Sequence, residues 1–220
     1  MSDAKKAVLE RIRQVGVVPV LRAGDGGQAL ALAEALIEGG IGVIEVAMTV
    51  PDAVDVIRRL AQNFPEILIG AGTVLDAETT LACIEQGAQF IVSPATDPGT
   101  LEACRRSDVV AIPGALTPTE IVYAWNAGAD LIKLFPSSAV GGAAYLKSIR
   151  APLPHVRIMP SGGVTLSTVR DYLAAGAFAL GAGSDLADFR AIAQGRRQDI
   201  IATARAYISA IELSRAEQAS

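Results

Sequence analysis

Four times along this chain a helical segment reaches a glycine and runs at once into a short apolar strand: ALIEGGIGVIEVAM, ACIEQGAQFIVSP, AWNAGADLIKLFP and YLAAGAFALGAG. The glycines of these modules, Gly39, Gly87, Gly128 and Gly176, stand where a helix ends in a left-handed residue. Their spacings of 48, 41 and 48 residues leave room for two strand–helix units each. Further strands fit between them, at VVPVLR (17–22), ILIGAG (67–72), VVAIPG (109–114) and VRIMPSGG (156–163).

The count is therefore eight strands, beginning near residues 17, 42, 67, 89, 109, 130, 156 and 178. Intervals of 20 to 26 residues hold one helix and two short loops each. Continuous Val/Ile/Leu runs, rather than alternating ones, suit parallel strands covered by helices. The expected fold is α/β, a single (β/α)8 TIM barrel spanning residues 1–220 with an extra N-terminal helix. Segment 3–15 would cap the bottom of that barrel, and a last helix near 198–216 would close the ring. The alternative, a doubly wound open sheet, lacks a G-x-G-x-x-G after its first strand.

Composition narrows the function classes. Hydrophobic residues make up 51% of the chain and charged residues 19%, so a large core can form. Net charge is −4 with acids and bases interspersed, and no basic stripe suggests nucleic acid. No apolar run is long enough to cross a membrane, and MSDAKKAVLERIRQ lacks the apolar core of a signal peptide, so a cytoplasmic location is expected. Two cysteines, Cys83 and Cys104, sit in helix-like sequence, and the single histidine, His155, lies in the loop-like PLPHVR. That set supports neither a disulfide framework nor a histidine-rich metal site, and no metal or cofactor is expected.

In a (β/α)8 barrel the chemistry lies at the C-terminal ends of the strands. Two charges are embedded within strands rather than in the loops beyond them: Glu45 in VIEVAMT and Lys133 in DLIKLFPSS. The chain has four lysines, and Lys133 alone is flanked by Leu131, Ile132, Leu134 and Phe135. Strand alternation puts Leu131, Lys133 and Phe135 on one face. Desolvation in an apolar lumen favours the neutral, nucleophilic amine that Schiff-base chemistry requires. The plain alternative is a buried ion pair with Glu45, which rarely stabilises a fold relative to apolar residues.

A second constellation follows strands seven and eight. Gly162 and Gly163 in MPSGGVT, with Gly183 and Ser184 in GAGSD, would let backbone N–H groups approach a phosphate. Ser184 would open a helix, SDLADFRAIA. Asp185 opposes an anion there unless its carboxylate turns away.

The stretches IEVAMTVPDAVDVIRRL, LIGAGTVLD, FIVSPATDP, IPGALTPTEI, DLIKLFPSS, MPSGGVT and GAGSDL together resemble the 2-keto-3-deoxy-6-phosphogluconate aldolases. That family includes 4-hydroxy-2-oxoglutarate and phosphogalactonate aldolases, and the resemblance runs from about residue 8 to 210. It implies a homotrimeric, metal-free class I aldolase that cleaves a keto-acid phosphate to pyruvate and glyceraldehyde 3-phosphate. It also implies Lys133 as the Schiff-base lysine and Glu45 as the general acid–base residue. Thr73, Pro94 and Phe135 would line the substrate, with Ser161 where a threonine is common. Gly162, Gly163, Gly183 and Ser184 would form the phosphate site. Some members carry an arginine at the position of Thr49; this chain instead offers Arg22 in VLRAG as the carboxylate-binding candidate. A phosphosugar isomerase or epimerase with Glu45 as base, or a silent binding barrel, remains open at this point.

Overall fold

The computed structural model describes residues 1–219. Helix α1 (Asp3–Val15) precedes β1 (Val17–Leu21), and the alternation continues through α2 (Gly26–Glu38), β2 (Val43–Ala47), α3 (Ala53–Asn63) and β3 (Leu68–Gly72). Next come α4 (Ala77–Glu85), β4 (Phe90–Val92), α5 (Pro98–Arg106), β5 (Val110–Ile112), β6 (Gly114–Ala115) and α6 (Pro118–Asn126). The chain ends with β7 (Ile132–Leu134), α7 (Gly142–Arg150), β8 (Ile158–Pro160), α8 (Val169–Ala174), β9 (Leu180–Ala182), α9 (Phe189–Ala193) and α10 (Arg197–Ala219).

Every strand pair is parallel, in the orders β5-β4-β3-β2-β1-β9 and β6-β7-β8. Pro113 splits one strand position into β5 and β6, because proline has no N–H to give the ladder. A bridge from Ser161 to Gly181 joins β8 to β9 and closes the circle. Eight strand positions and their helices form the expected (β/α)8 barrel, with α1 as the extra helix.

Helix starts follow local chemistry. The side chains of Asp76, Asp97 and Thr117 each accept from a backbone N–H three residues on, and Pro98 and Pro118 occupy first-turn positions. Of the module glycines, Gly87, Gly128 and Gly176 have positive φ, as expected. Gly39 does not: its φ is −72°, and Gly40 (φ 97°) is the left-handed residue. Gly39 is small for another reason, since a Cβ there would fall 2.4 Å from the Ala204 Cβ of α10.

The core has two compartments. A large cluster fills the ring between strands and helices, including Leu36, Ile57, Leu60, Ile69 and Tyr207. A smaller one fills the lumen with Val18, Val43, Leu68, Phe90, Val110, Leu131 and Met159. Leu9 and Ile12 of α1 belong to the lumen cluster, so α1 plugs the bottom of the barrel.

Lys5 of α1 is also buried there, 2.8 Å from Asp130, whose Oδ2 further accepts from the Ala111 N–H at 3.0 Å. The pair is closely hydrogen-bonded and locks the plug to the strands. Asp130→Asn would strand a buried ammonium, and breaking such a pair costs about 3–5 kcal/mol. Urea unfolding should therefore give a much lower midpoint with an unchanged slope.

Both cysteines are free and buried, in α4 and α5. Burial pushes the Cys83 thiol up to about 11, with Asp76 adding to it. Burial likewise pushes the Cys104 thiol up to about 12. Nucleophilic thiolate is scarce at pH 8 in both, so the folded protein should take up no iodoacetamide. The guanidinium-unfolded protein should take up two equivalents by mass spectrometry.

Candidate active site

Glu45 pairs in register with Val20 of β1 and Gly70 of β3, and Lys133 with Gly114 of β6 and Met159 of β8. Both side chains point into the lumen above the apolar cluster. Their tips meet: Lys133 Nζ lies 3.7 Å from Glu45 Oε1, with side-chain exposures of 4% and 0%. The separation is too long for a hydrogen bond. Neither carboxylate oxygen has a hydrogen-bond partner; with Thr100 Oγ1 they are the only such buried side-chain atoms among the described residues. The Lys133 ammonium end also lies 5.3 Å from the centre of the Phe135 ring.

The contrast with Lys5–Asp130 is instructive. A structural pair in this fold closes to 2.8 Å and gains a backbone donor. Glu45 and Lys133 do neither, although burying an under-bonded charge is costly.

Gly72 makes room for Glu45: a Cβ at that position would fall 2.0 Å from Oε1 and 2.6 Å from Cδ. The next residue, Thr73, has φ 60°, a left-handed conformation uncommon for a β-branched residue. This strained turn carries the chain out of β3 beside the glutamate.

A cleft of about 330 Å³ opens above Lys133. Its lining brings together Arg22, Lys133, Phe135, Ser161, Gly162, Gly163, Gly183 and Ser184, eight of the residues expected from sequence. Arg22 sits at the mouth, exposed, and donates to Thr49 Oγ1 at 3.4 Å. No ion pair between Arg22 and Glu45 occurs among the described residues. Thr49 and Thr73 line a separate hollow of about 250 Å³ with Met48 and Asp76. Pro94 lines a third, of about 570 Å³, which shares Phe135 with the cleft.

The rim is built from glycine. Gly162 and Gly163 have φ of 82° and 83°. A Cβ on Gly163 would strike Ser138 Oγ at 2.3 Å, so this glycine lets the loop after β7 close onto the loop after β8. Ser137 and Ser138 N–H groups donate to the Ser161 and Gly162 carbonyls at 2.9 and 3.1 Å, and Ser137 Oγ meets Tyr172 Oη at 2.9 Å.

Ser184 does not open a helix as expected. Residues 184–186 form a turn in which the Leu186 and Ala187 N–H groups donate to Gly183 O, and α9 begins only at Phe189, capped by Asp188. Asp185 explains the delay. Its Oδ2 accepts from the Leu166 N–H at 2.9 Å and from Tyr207 Oη at 2.5 Å, tying the turn to the loop after β8 and to α10. The carboxylate thus turns away from its own segment. Burial, then this carboxylate, raise the Tyr207 phenol well above its ordinary value.

Sequence reasoning did not find Gly72, Thr165 or Val164. The last two line the cleft, and Thr165 starts a 3-10 turn (Leu166–Thr168) by donating its N–H to Thr168 Oγ1 at 3.0 Å. The T-x-x-T spacing was the available signal. His155 lies exposed in a turn with its ring 6.2 Å from that of Trp125, and it does not line the cleft.

A lysine and an under-bonded carboxylate meet on the lumen face of a (β/α)8 barrel, below glycine-rich strand-end loops, an arrangement suited to the Schiff-base chemistry of a carbon–carbon lyase. The family model described as KDPG and KHG aldolase matches residues 8–203, and the chain belongs to that aldolase family. It is 36% identical over 174 residues to the 2-dehydro-3-deoxy-phosphogluconate aldolase of Haemophilus influenzae, covering 79% of this chain and 82% of that one. Among solved structures, the KDPG aldolase of Legionella pneumophila, with pyruvate captured as a covalent carbinolamine, matches with a TM-score of 0.85 at 32% identity. That alignment covers 91% of this chain and 97% of the other. A structure described as native KDPGal matches with a TM-score of 0.83 at 31% identity, covering 90% and 95%.

Proposed function

We propose that this chain cleaves 2-keto-3-deoxy-6-phosphogluconate to pyruvate and glyceraldehyde 3-phosphate through a Schiff base on Lys133. The observation that carries this reading is the buried Lys133–Glu45 pair, 3.7 Å apart with both carboxylate oxygens unbonded, at the floor of a glycine-rimmed cleft.

The neutral Lys133 amine attacks the C2 ketone, giving a carbinolamine that loses water to form an iminium. Glu45 relays protons through these steps. It then takes the proton of the C4 hydroxyl, and the C3–C4 bonding electrons flow into the iminium as the aldehyde leaves. The resulting enamine is protonated at C3, and water releases pyruvate and the free lysine. Arg22 pairs with the substrate carboxylate or steadies Thr49 beside it, and Phe135 and Ser161 flank the bound chain. Gly162, Gly163, Gly183 and Ser184 offer backbone N–H groups to the phosphate. Thr73 and Pro94 act from the adjoining strand ends.

The C4 epimer, the galactonate-type substrate, is the second reading, favoured by the near-equal likeness to the KDPGal structure. Activity on 4-hydroxy-2-oxoglutarate accords with the family description. Residues 1–220 would act as one cytoplasmic barrel domain in a homotrimer, a state that light scattering on the purified protein reads directly. The functional test is incubation with pyruvate and borohydride, followed by peptide mass spectrometry and by aldol-cleavage assays on both C4 epimers. A reduced pyruvyl adduct on Lys133 and cleavage of the gluconate-type epimer are expected. An unmodified Lys133 would overturn the Schiff base, and preference for the other epimer would overturn the substrate.

A further inference from the structure

At the end of the barrel opposite the Lys133 cleft, where β8 and β9 begin, lies a cavity of about 490 Å³ lined by Arg13, Arg150, His155, Arg157 and Arg215. Apolar side chains, Val156, Leu173 and Phe178, complete much of its wall, and neither Asp nor Glu lines it. We propose that this cavity binds a small organic anion bearing several phosphates.

Three of the four guanidiniums are held in place by backbone carbonyls rather than by a carboxylate salt bridge. Arg150 donates to the Val156 carbonyl at 3.3 Å, Arg157 to the Asp130 carbonyl at 2.8 Å, and Arg215 to the carbonyls of Gln14 (2.7 Å) and Arg13. A carbonyl fixes the fork and uses one or two of its five N–H donors, but leaves the full charge in place. Among the described residues only Arg13 has a carboxylate salt-bridge partner, Glu10; that pair is solvent-exposed, and Glu10 also acts at longer range on Arg215.

The backbone is cut to admit these side chains. A Cβ on Gly16 would meet Arg215 Nη2 at 2.7 Å, and one on Gly176 would meet Arg150 Nε at 2.5 Å. Burial, and then the nearby charge of Arg13, pull the Arg215 guanidinium below its ordinary value, with Glu10 opposing them in part. In a chain of net charge −4, this cluster of guanidiniums calls for an external counter-charge. Fixed guanidinium forks match phosphate oxygens in pairs, and the cavity is of a size that holds a metabolite with an apolar part.

Inorganic tripolyphosphate is the probe. Calorimetric titration of the full chain should give saturable binding, of which the component at this cavity is weakened at least about tenfold in the Arg13→Gln/Arg150→Gln double variant while any binding in the Lys133 cleft is unchanged. The wild-type protein provides a second readout. Tripolyphosphate should shield Arg13, Arg150 and Arg215 from phenylglyoxal, read by peptide mass spectrometry, while Arg22 in the cleft stays reactive. Three results would overturn the proposal: no saturation, shielding confined to Arg22, or equal shielding by sulfate at matched ionic strength.

Discussion

Lys133→Ala should abolish aldol cleavage, with a loss on the order of 10⁶-fold, the scale on which enzymes suffer when a covalent nucleophile is removed. The reason is chemical: without the amine there is no iminium, and the electrons of the breaking C3–C4 bond have nowhere to go. The residue is 3% exposed and sits on β7 between two paired strands, so no other lysine can reach the same place. Lys5 is spent on Asp130 at the opposite end, while Lys6 lies on α1 and Lys147 on α7. Lys133→Met fills the same volume with an apolar chain and keeps the barrel packed. It should be equally dead, with an unchanged far-ultraviolet circular dichroism spectrum. Substantial turnover in the methionine variant would instead favour an isomerase or epimerase working from Glu45 alone.

Glu45→Gln should lower kcat by about 10²–10⁴-fold, the usual worth of a positioned acid–base group, with KM little changed. The amide keeps the shape of the carboxylate and loses only its ability to take a proton. Gly72→Ala should produce a similar defect without touching any titratable group. Its new methyl would occupy the place of the Glu45 carboxylate, 2.0 Å from Oε1, and displacement of a catalytic group by about 1 Å costs about 10²-fold. Because both changes strike the same function, the double variant should be no worse than Glu45→Gln alone. Steady-state kinetics of the three variants decide the matter. Independent, multiplying losses would mean that Gly72 serves something other than the position of Glu45.

Much of this was legible in the residue order. The eight strand positions announce themselves because each is a short apolar run, and four of them follow directly on a glycine that ends a helical segment. Lys133 and Glu45 stand out because a charge inside such a run has no local excuse. What stayed hidden depends on distant partners. Lys5 reads as one more solvated charge on an amphipathic helix, since its carboxylate lies 125 residues further on. Gly72 reads as a strand-end glycine, and its purpose appears only when the Glu45 side chain of the neighbouring strand is in place. The segment after Gly183 looks like a helix start because Ser-Asp followed by good helix formers resembles a cap. Asp185 is claimed instead by Tyr207 and Leu166, and the true cap falls to Asp188.

The plug that α1 drives into the lumen leaves the barrel with one door. Whatever enters must leave by the same route, and in the proposed reaction the keto acid is tethered to Lys133 on the floor of the cleft. Departure in that reaction is a queue: C3–C4 cleavage frees the aldehyde first, and pyruvate follows once its bond to the enzyme is hydrolysed. Run backwards, the proposed reaction takes pyruvate before its partner, because the enamine formed on Lys133 is the nucleophile that attacks the aldehyde.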